Sequence, residues 1–296
     1  MKEIPAVINE ILSPRRLRAF LRKNRLRVRR GLGQNFLINR NILEKIIAAA
    51  ELSAGERVVE VGPGLGFLSA FLLRAGVRLD AFERDRALVA HLENTFDADP
   101  DFSLNIGDVL KADLEAILKE DQFKLVSNLP YNITSPVFSR FLPRIGLKTM
   151  VVTVQRQAGE RIVSPPACNS YGAFSLFCQF YADTELLFHV SPGSFHPAPA
   201  VHSSVVRLNT KQPPLKGAGS TMFFALVRAV FNSRRKTLRN NLKLGKLPGL
   251  QQEAVLDLLQ CSGVDPEIRG EKLSLEEFCS LAAHFTAGAK TDWNLP

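Results

Sequence analysis

Between residues 57 and 155, short apolar runs alternate with longer segments of helical periodicity, and this alternation constrains the fold more than any other feature. The apolar runs occupy residues 57–61, 77–82, 102–106, 124–127 and 149–155. Strands separated by helices are typical of a doubly wound parallel sheet. Two later runs, 185–190 and 203–208, follow turns with proline or glycine, so we expect an antiparallel edge there. The sequence therefore predicts an α/β protein with a mostly parallel, Rossmann-like sheet of about seven strands.

Composition divides the rest of the chain into further segments. Residues 1–30 form a basic extension, and residues 31–210 hold the alternating pattern. Residues 211–220 are rich in proline, glycine and lysine, as linkers are, and residues 221–288 show only helical periodicity. We therefore predict a sheet domain over 31–210, followed by a linker and a small all-α domain over 211–296.

The net charge of +9 is concentrated in two basic clusters. Residues 1–30 carry ten basic and two acidic side chains, and Ser13 with Pro14 is predicted to begin a basic amphipathic helix there. The second cluster contains no acidic residue and consists of Arg228, Arg234, Arg235, Lys236, Arg239, Lys243 and Lys246. Either cluster alone is explained by a solvated helix surface, but the two together favour a polyanionic partner.

Other compositional features bear on compartment and metals. No apolar run reaches the roughly 18 residues of a membrane-spanning helix, and the amino terminus is basic rather than apolar. The four cysteines form no CxxC pair, and the five histidines lack metal-ligand spacing. We therefore expect a soluble intracellular protein with reduced cysteines, no metal and no membrane partner.

A glycine-rich turn follows the first apolar run, at Glu60-Val-Gly-Pro-Gly64. Such a turn lets the backbone approach a ligand closely, but its spacing departs from the dinucleotide pattern, and Pro63 removes one amide donor. Glu83 ends the next strand, where a carboxylate can accept hydrogen bonds from both hydroxyls of a ribose. Asp108 ends the third strand and could reach an adenine amino group.

Two alternatives remain open for this turn. Gly62 and Gly64 can simply relieve a tight turn, with Glu83 at the surface. Asp80 and Asp85 also compete with Glu83 for the ribose role. The position of Glu83 at the strand end, directly after two apolar residues, favours it.

The fourth strand ends in Asn128-Leu129-Pro130-Tyr131, at the edge of the sheet where ligands bind in this architecture. The Asn128 amide oxygen and the Leu129 carbonyl can each accept a proton from an exocyclic amine, and Pro130 restricts Leu129 to extended conformations. The ring of Tyr131 can stack on a flat base. The alternative is a turn in which Asn128 caps the helix that follows.

The motifs together resemble those of the small-subunit ribosomal RNA adenine N6,N6-dimethyltransferases. The matching segments are Gly33-Gln-Asn-Phe-Leu37, Glu60-Val-Gly-Pro-Gly64, Glu83, Gly107-Asp108, Asn128-Leu-Pro-Tyr131 and Phe231-Asn-Ser-Arg-Arg-Lys-Thr-Leu-Arg-Asn240. The likeness covers residues 31 to 285, and the basic extension before it is longer than the arm such enzymes usually carry.

The resemblance implies a methyltransferase fold, S-adenosylmethionine as cofactor, and dimethylation of two adjacent adenosines near the 3′ end of 16S rRNA. It assigns cofactor contacts to Asn35, Leu37, Gly62, Glu83, Asp108 and Asn128. Gly64, in the same turn as Gly62, is a further candidate for such a contact. It also implies that Phe195 packs on the target adenine opposite Tyr131, although a buried loop anchor is the other interpretation of Phe195. Phosphate contacts are expected from Arg234, Arg235, Lys236 and Arg239.

Alternative functions remain at this point. A 23S rRNA adenine methyltransferase shares the cofactor turn and the Asn-x-Pro-Tyr element, but the basic run 234–240 argues against it. An RNA-binding factor for small-subunit assembly is a second possibility and can coexist with catalysis. A nicotinamide dehydrogenase is disfavoured because the Asn128 element would have no role. We expect a cytoplasmic monomer that acts on 16S rRNA in the small ribosomal subunit or its precursor.

Overall fold

The computed structural model describes residues 2–119, 121–245 and 247–289, without the side chain of Arg30. Lys246 of the second basic cluster lies outside these residues. The strands are β1 (Phe36–Leu37), β2 (Arg57–Val61), β3 (Arg78–Glu83), β4 (Phe102–Ile106), β5 (Phe123–Asn128), β6 (Leu147–Gln155), β7 (Ala182–Val190), β8 (Phe195–His196) and β9 (Ser203–Thr210).

The helices begin in the basic extension and recur between the strands. They are α1 (Ala6–Ile11), α2 (Pro14–Lys23), α3 (Arg40–Ala49), α4 (Phe67–Arg74), α5 (Arg86–Phe96), α6 (Leu114–Leu118), α7 (Thr134–Phe141), α8 (Arg156–Val163), α9 (Ala173–Tyr181), α10 (Gly217–Val230), α11 (Leu238–Leu242), α12 (Gln252–Cys261) and α13 (Leu275–Gly288). None of the helices in the described ranges is long and apolar enough to cross a membrane.

The main sheet of the described chain has seven strands in the order β4-β3-β2-β5-β6-β9-β7. The first five strands of that order pair in parallel, and β9 pairs antiparallel with β6. The sequence prediction of a doubly wound sheet with an antiparallel edge is therefore confirmed. The strand order reverses between β2 and β5, because the chain leaves β2 for β3 and β4 and then returns to the other side of β2.

Local sequence signals explain where several helices begin. The side chains of Ser13, Asn39 and Asp85 accept backbone N–H bonds in the first turns of α2, α3 and α5. The prediction that residues 211–220 form a linker is wrong at its end, since α10 begins at Gly217. The apolar face of α10, which includes Met222 and Phe223, is buried, and this tertiary packing extends the helix into the glycine-rich segment.

The chain divides into two compact units. The first contains residues 1–159 and 184–210, and the second contains residues 160–183 and 211–296. Relative to the domains expected from composition, the basic extension joins the sheet unit, and residues 160–183 join the helical unit. The extension joins because its apolar side chains are buried in the same core as α3 and α4; these are Ile4, Ile8, Ile11, Leu17 and Leu21.

The helical unit has a core of its own. It is formed mainly by α9, α10 and α13, with an aromatic cluster in which Phe180 stacks on Phe223 at a centroid distance of 4.5 Å. Tyr171 is buried in this core and donates its hydroxyl to the Leu273 carbonyl at 2.9 Å. The prediction that residues 221–288 are helical is therefore confirmed over the described residues.

Candidate active site

A cleft opens at the carboxyl ends of β2, β3 and β5, where the strand order reverses. Most of the residues singled out in the sequence line this cleft, namely Asn35, Leu37, Gly62, Gly64, Glu83, Asp108, Asn128, Leu129, Pro130 and Tyr131. Strand register brings them together, since Val61 pairs with Phe82, and the Gly62 amide donates to the Phe82 carbonyl at 2.9 Å. The topology thus assembles one site from segments far apart in sequence.

The glycine turn forms one wall of the cleft. Gly62 and Gly64 have φ angles of 69° and 64°, in the left-handed region that glycine tolerates. A Cβ on Gly64 would lie 2.9 Å from the Phe36 ring, and one on Gly62 would lie 3.2 Å from the Pro130 ring. The missing side chains therefore let the arm at residue 36 and the loop at residue 130 close against the turn.

Glu83 connects this turn to the end of β3. One carboxylate oxygen accepts the Gly64 amide at 3.1 Å, and the other accepts the amides of Arg84 and Asp85, each at 2.8 Å. The side chain is buried, and burial raises the pKa of Glu83 although the three backbone bonds lower it. The carboxylate is thus held rigidly at the cleft wall.

The two competing acids are engaged elsewhere. Asp80 pairs with Arg57 at 2.7 Å on the same strand pair. Asp85 caps α5 through the Ala87 amide at 3.1 Å and accepts the Gln34 side-chain amide at 3.0 Å. This geometry favours Glu83 over both for the ribose role.

Asp108 lies after the β4 strand and is more exposed than Glu83. One oxygen accepts the Leu110 amide at 3.0 Å, and the other lies 3.6 Å from the guanidinium of Arg84. The side chain is about a quarter exposed, which leaves its carboxylate accessible from the cleft.

Asn128 carries the most informative geometry in the cleft. Its Nδ2 donates to the Asn35 carbonyl at 2.9 Å, whereas its Oδ1 is buried and has no hydrogen-bond partner among the described residues. The opposite amide orientation would place Oδ1 against that carbonyl oxygen, so the bond to Asn35 fixes Oδ1 as the free acceptor. The first turn of α7 has no side-chain cap, so Asn128 does not cap that helix.

Leu129 and Tyr131, which follow Asn128, are also held in place. Leu129 is buried, and its amide donates to the Thr153 carbonyl at 3.2 Å. Tyr131 is half-buried, and its hydroxyl lies 2.6 Å from the buried Ser203 hydroxyl. Burial raises the pKa of Tyr131 while the Ser203 bond lowers it. The Tyr131 ring therefore has a fixed position at the mouth of the cleft.

Phe195 lies in a different environment. It belongs to β8, which pairs antiparallel with β1, so that Phe195 lies opposite Leu37. The side chain is only 3% exposed and packs in the core of the sheet unit. Its predicted contact with the target base therefore stays a prediction, and the structure also fits a buried anchor for the arm that carries Asn35 and Leu37.

Two cleft residues of the first unit lie in the matching motifs but received no role from the sequence. Gln34 accepts the Arg29 amide at 2.7 Å and so connects the extension to Asp85. Glu60 is buried and accepts the Ser69 hydroxyl at 2.6 Å; burial raises the pKa of Glu60 to about 8, with a smaller contribution from the charge of Glu83. The available signal for Glu60 was an acid in the middle of an apolar strand.

The expected phosphate-binding residues belong to the helical unit. Arg234 contacts Glu271 at 3.2 Å and the Tyr171 carbonyl at 3.2 Å. Arg235, Lys236 and Arg239 are exposed around the start of α11. Arg234 is thus partly used to stabilise the fold, whereas the other three side chains face solvent.

Comparison with known proteins identifies relatives over nearly the whole chain. A family model described as "Ribosomal RNA adenine dimethylase" matches residues 25–287. A protein named ribosomal RNA small subunit methyltransferase A from Geobacillus sp. (strain WCH70) is 38% identical over 282 residues, covering 92% of this chain and 97% of the relative. A protein of the same name from Alkaliphilus metalliredigens (strain QYMF) is 36% identical over 287 residues, covering 95% and 99%.

The match to the second relative reaches into the basic extension. A coverage of 95% leaves about 15 of 296 residues outside the match, so at least half of residues 1–30 lies within the matched part. That the extension exceeds the usual arm of such enzymes stays a prediction.

Solved structures share the fold. A dimethyladenosine transferase from Plasmodium falciparum superimposes with a TM-score of 0.74 at 23% identity, covering 86% of this chain and 98% of that one. The 23S rRNA methyltransferase ErmE superimposes with a TM-score of 0.66 at 23% identity, covering 84% and 99%.

Proposed function

The chain belongs to the ribosomal RNA adenine dimethylase family, and from that premise we propose that it dimethylates N6 of two adjacent adenosines near the 3′ end of 16S rRNA. The family makes it an S-adenosylmethionine-dependent rRNA adenine dimethyltransferase. The target nucleotides, and the small subunit or its precursor as the substrate particle, are the proposed part.

The observation that carries the proposal is the free acceptor at Asn128. The lone pair of adenine N6 is delocalised into the ring, so the amine must be held and polarised before it can attack. Oδ1 of Asn128 would accept one N6 proton and the Leu129 carbonyl the other, with the Tyr131 ring stacked on the base. A buried acceptor without a partner costs about 1–3 kcal/mol, and a bound base would remove that cost.

These residues would also stabilise the charge that develops during transfer. S-adenosylmethionine, when bound, supplies a methyl group activated by its sulfonium. As the N6–carbon bond forms, the carbon–sulfur bond breaks and its electron pair stays on the sulfur, which becomes a neutral thioether. N6 becomes cationic at the same time, and the oxygens of Asn128 and Leu129 would face that charge. The N6 proton then leaves to water, so no strong base is needed. Alignment and electrostatics account for catalysis.

The cleft residues fit the cofactor. The Glu83 carboxylate has about four lone-pair sites and uses three of them for backbone amides, so one site remains for a ribose hydroxyl, on the oxygen that accepts the Gly64 amide. Asp108 offers an adenine amino group a carboxylate that is accessible from the cleft. The proposed cofactor contacts also include Asn35, Leu37, Gly62, Gly64 and Asn128, which line the same cleft.

The partner proposals follow from a ribosomal RNA substrate. The basic cluster of the helical unit is proposed to contact phosphates, because it has no acidic neighbour in sequence. Its residues are Arg234, Arg235, Lys236 and Arg239. Phe195 is proposed to support the target base from the other side. We further propose that the protein acts as a monomer in the cytoplasm, where ribosomal subunits mature.

The direct test measures transfer of labelled methyl groups to small subunits purified from cells that lack this protein. We expect label in 16S rRNA, with reverse-transcription stops at two adjacent adenosines, and none in 23S rRNA of large subunits. Equal labelling of 23S rRNA would contradict the proposal. Cells that carry Asn128→Ala, compared with a deletion strain, separate catalysis from an assembly role: a milder defect with the inactive variant would indicate a second function.

A further inference from the structure

The amino-terminal extension is a folded part of the sheet unit. Its helix α2 buries Leu17 and Leu21, and Phe20 contacts the His91 ring edge-on at a centroid distance of 5.3 Å. Lys2 forms ion pairs with Asp99 and Asp101. Packing and ion pairs therefore hold the extension against the sheet unit.

The outer surface of α2 and the segment after it is strongly cationic. Seven side chains there are exposed, and within the described part of the chain none of them forms an ion pair; they are Arg15, Arg16, Arg18, Arg22, Lys23, Arg25 and Arg27. Other basic residues of the same unit, such as Arg57, Lys124 and Arg207, pair with carboxylates. Exposed cations without an ion-pair partner are thus concentrated in this segment.

This arrangement works against the stability of the helix. Arg15, Arg18 and Arg22 stand at i, i+3 and i+7, on one side of α2 and about 10 Å from end to end. Like charges three and four residues apart destabilise a helix by about 0.2–0.5 kcal/mol per pair. A purely structural helix would intersperse acids, and α2 contains none.

Three interactions connect this surface to the cleft. His91, which contacts Phe20, lies 3.3 Å from the carbonyl of Leu65 in the glycine turn. Arg29 follows the cationic segment and lies 3.5 Å from Asp85, whose amide donates to Glu83. Burial lowers the pKa of His196, and the charge of Arg18 lowers it further. His196 pairs with Phe36, which lines the cleft.

We propose that Arg15, Arg18 and Arg22 form a phosphate-binding ridge for the rRNA strand that enters the cleft. The proposal rests on the proposed function and names a contact surface that adds to the target-base site. The ridge holds the strand electrostatically and without reading its bases, because exposed guanidinium groups on one helix face contact backbone phosphates.

The experiment compares two double variants of the full-length protein. Arg15→Gln with Arg22→Gln removes two charges from the ridge. Arg78→Gln with Lys148→Gln removes two exposed charges near the amino ends of β3 and β6, at the opposite edge of the sheet from the cleft. Dissociation constants are measured for protein-free 16S rRNA and for unmethylated small subunits over a series of salt concentrations, and S-adenosylmethionine binding is measured by calorimetry.

We expect the ridge variant to bind both RNA probes about tenfold more weakly, and the slope of log affinity against log salt to fall by about 1.5, as for two lost phosphate contacts. Cofactor binding stays unchanged, and the melting temperature does not fall, because two like-charge pairs are removed from the helix. Arg15→Lys with Arg22→Lys restores binding, because the charge is kept. The control variant behaves as wild type.

Three results would overturn the ridge. These are an unchanged salt slope, an equal loss in the Arg78 and Lys148 variant, or a loss seen on subunits but not on protein-free RNA, which would indicate an acidic ribosomal protein as the partner. Wild-type protein that fails to label 16S rRNA would refute the proposed function instead, so the two failures are distinguishable.

Discussion

The glycine turn with Glu83 and the Asn128 to Tyr131 element lie at the same edge of one sheet, yet their polar groups are satisfied to different degrees. Glu83 accepts three backbone amides from its own neighbourhood. The amide nitrogen of Asn128 donates to the Asn35 carbonyl, and its buried oxygen has no partner in the described chain. The backbone satisfies most of the first region, whereas the second keeps an acceptor that a ligand would complete.

The difference follows from what each region would hold. A cofactor with a ribose needs a carboxylate at a fixed position. Backbone amides can fix it without ordering further side chains as donors. A base must be polarised only while it reacts, so an acceptor that is desolvated beforehand gives the larger electrostatic effect. Substitutions in the two regions should therefore separate stability and cofactor binding from the chemical step.

The largest effect is expected from Asn128→Ala. Removing the free acceptor should lower the rate of methyl transfer by at least about 100-fold, as loss of one preorganised polar contact does in other active sites. Stability should change by only about 1 kcal/mol, since one hydrogen bond to Asn35 is lost. Single-turnover transfer to small subunits and urea unfolding measure the two quantities.

Asn105→Ala is the matched control for Asn128. Asn105 also has a buried side-chain atom without a partner in the described residues, but it is on β4 and not among the residues that line the cleft. Full activity in Asn105→Ala with loss in Asn128→Ala would assign the effect to the site. Comparable methyl-transfer activity of Asn105→Ala and Asn128→Ala would mean that the free oxygen of Asn128 has no special role in the chemical step.

Glu83→Gln changes the glycine-turn region and should affect stability and cofactor binding. The amide of glutamine can accept at only one of its two terminal atoms, so at least one of the three backbone donors loses its partner. We expect a loss of about 2 kcal/mol in the free energy of unfolding and a tenfold or greater rise in the Kd for S-adenosylmethionine. Calorimetry and urea unfolding give both values.

Asp108→Asn provides the comparison for Glu83. Its remaining oxygen can still accept the Leu110 amide, and the side chain is partly exposed. Cofactor binding should weaken while the free energy of unfolding stays within about 0.5 kcal/mol of wild type. A stability loss in Asp108→Asn equal to that in Glu83→Gln would contradict the special anchoring of Glu83.

The contrast between the regions also shows what sequence alone could predict. Strands β2 and β4 were predicted with their observed bounds, because apolar runs bounded by turns are local signals. The beginning of β7 was placed three residues late, since α9 ends at Tyr181 and the strand begins at Ala182 without an intervening turn. Periodicity gives no boundary where one element follows another directly.

Within the site, residue types were predictable but their states were not. The choice between Glu83 and Asp80 depends on Arg57, 23 residues away from Asp80, and the free oxygen of Asn128 depends on a carbonyl 93 residues away. Neither contact leaves a trace in local sequence. The burial of Phe195 likewise follows from its pairing with β1, which is a tertiary event.

A smaller effect is expected from Gly64→Ala. The new Cβ would meet the Phe36 ring at 2.9 Å in addition to the strain of a φ angle of 64°. Gly55→Ala carries the second penalty alone, because Gly55 has a φ angle of 77° and open space around its Cβ position. We expect about 1 kcal/mol of destabilisation in Gly55→Ala and about 1 kcal/mol more in Gly64→Ala, with weaker cofactor binding only in the latter.

The Gly64 comparison has a clear opposing outcome. Equal melting temperatures and equal cofactor Kd values for the two alanine variants would mean that Phe36 moves freely away from the turn. The glycine turn would then not be the preformed region that its contacts with Phe36 indicate.

The last comparison concerns pH and the buried Glu60. Its pKa of about 8 in the folded protein exceeds the ordinary 4.5, so the folded state holds a proton that the unfolded state has lost between these values. The contribution of Glu60 to stability is therefore fully present below pH 4.5 and declines as the pH rises to 8, by at most about 1.4 kcal/mol per pH unit. Glu60→Gln should remove this decline, so its stability relative to wild type should rise from pH 5 to pH 8. Glu115→Gln, at a side chain that is 88% exposed, should leave the profile unchanged. Parallel unfolding profiles for wild type and Glu60→Gln would contradict this prediction. They would mean that burial does not raise the pKa of Glu60 in the folded protein.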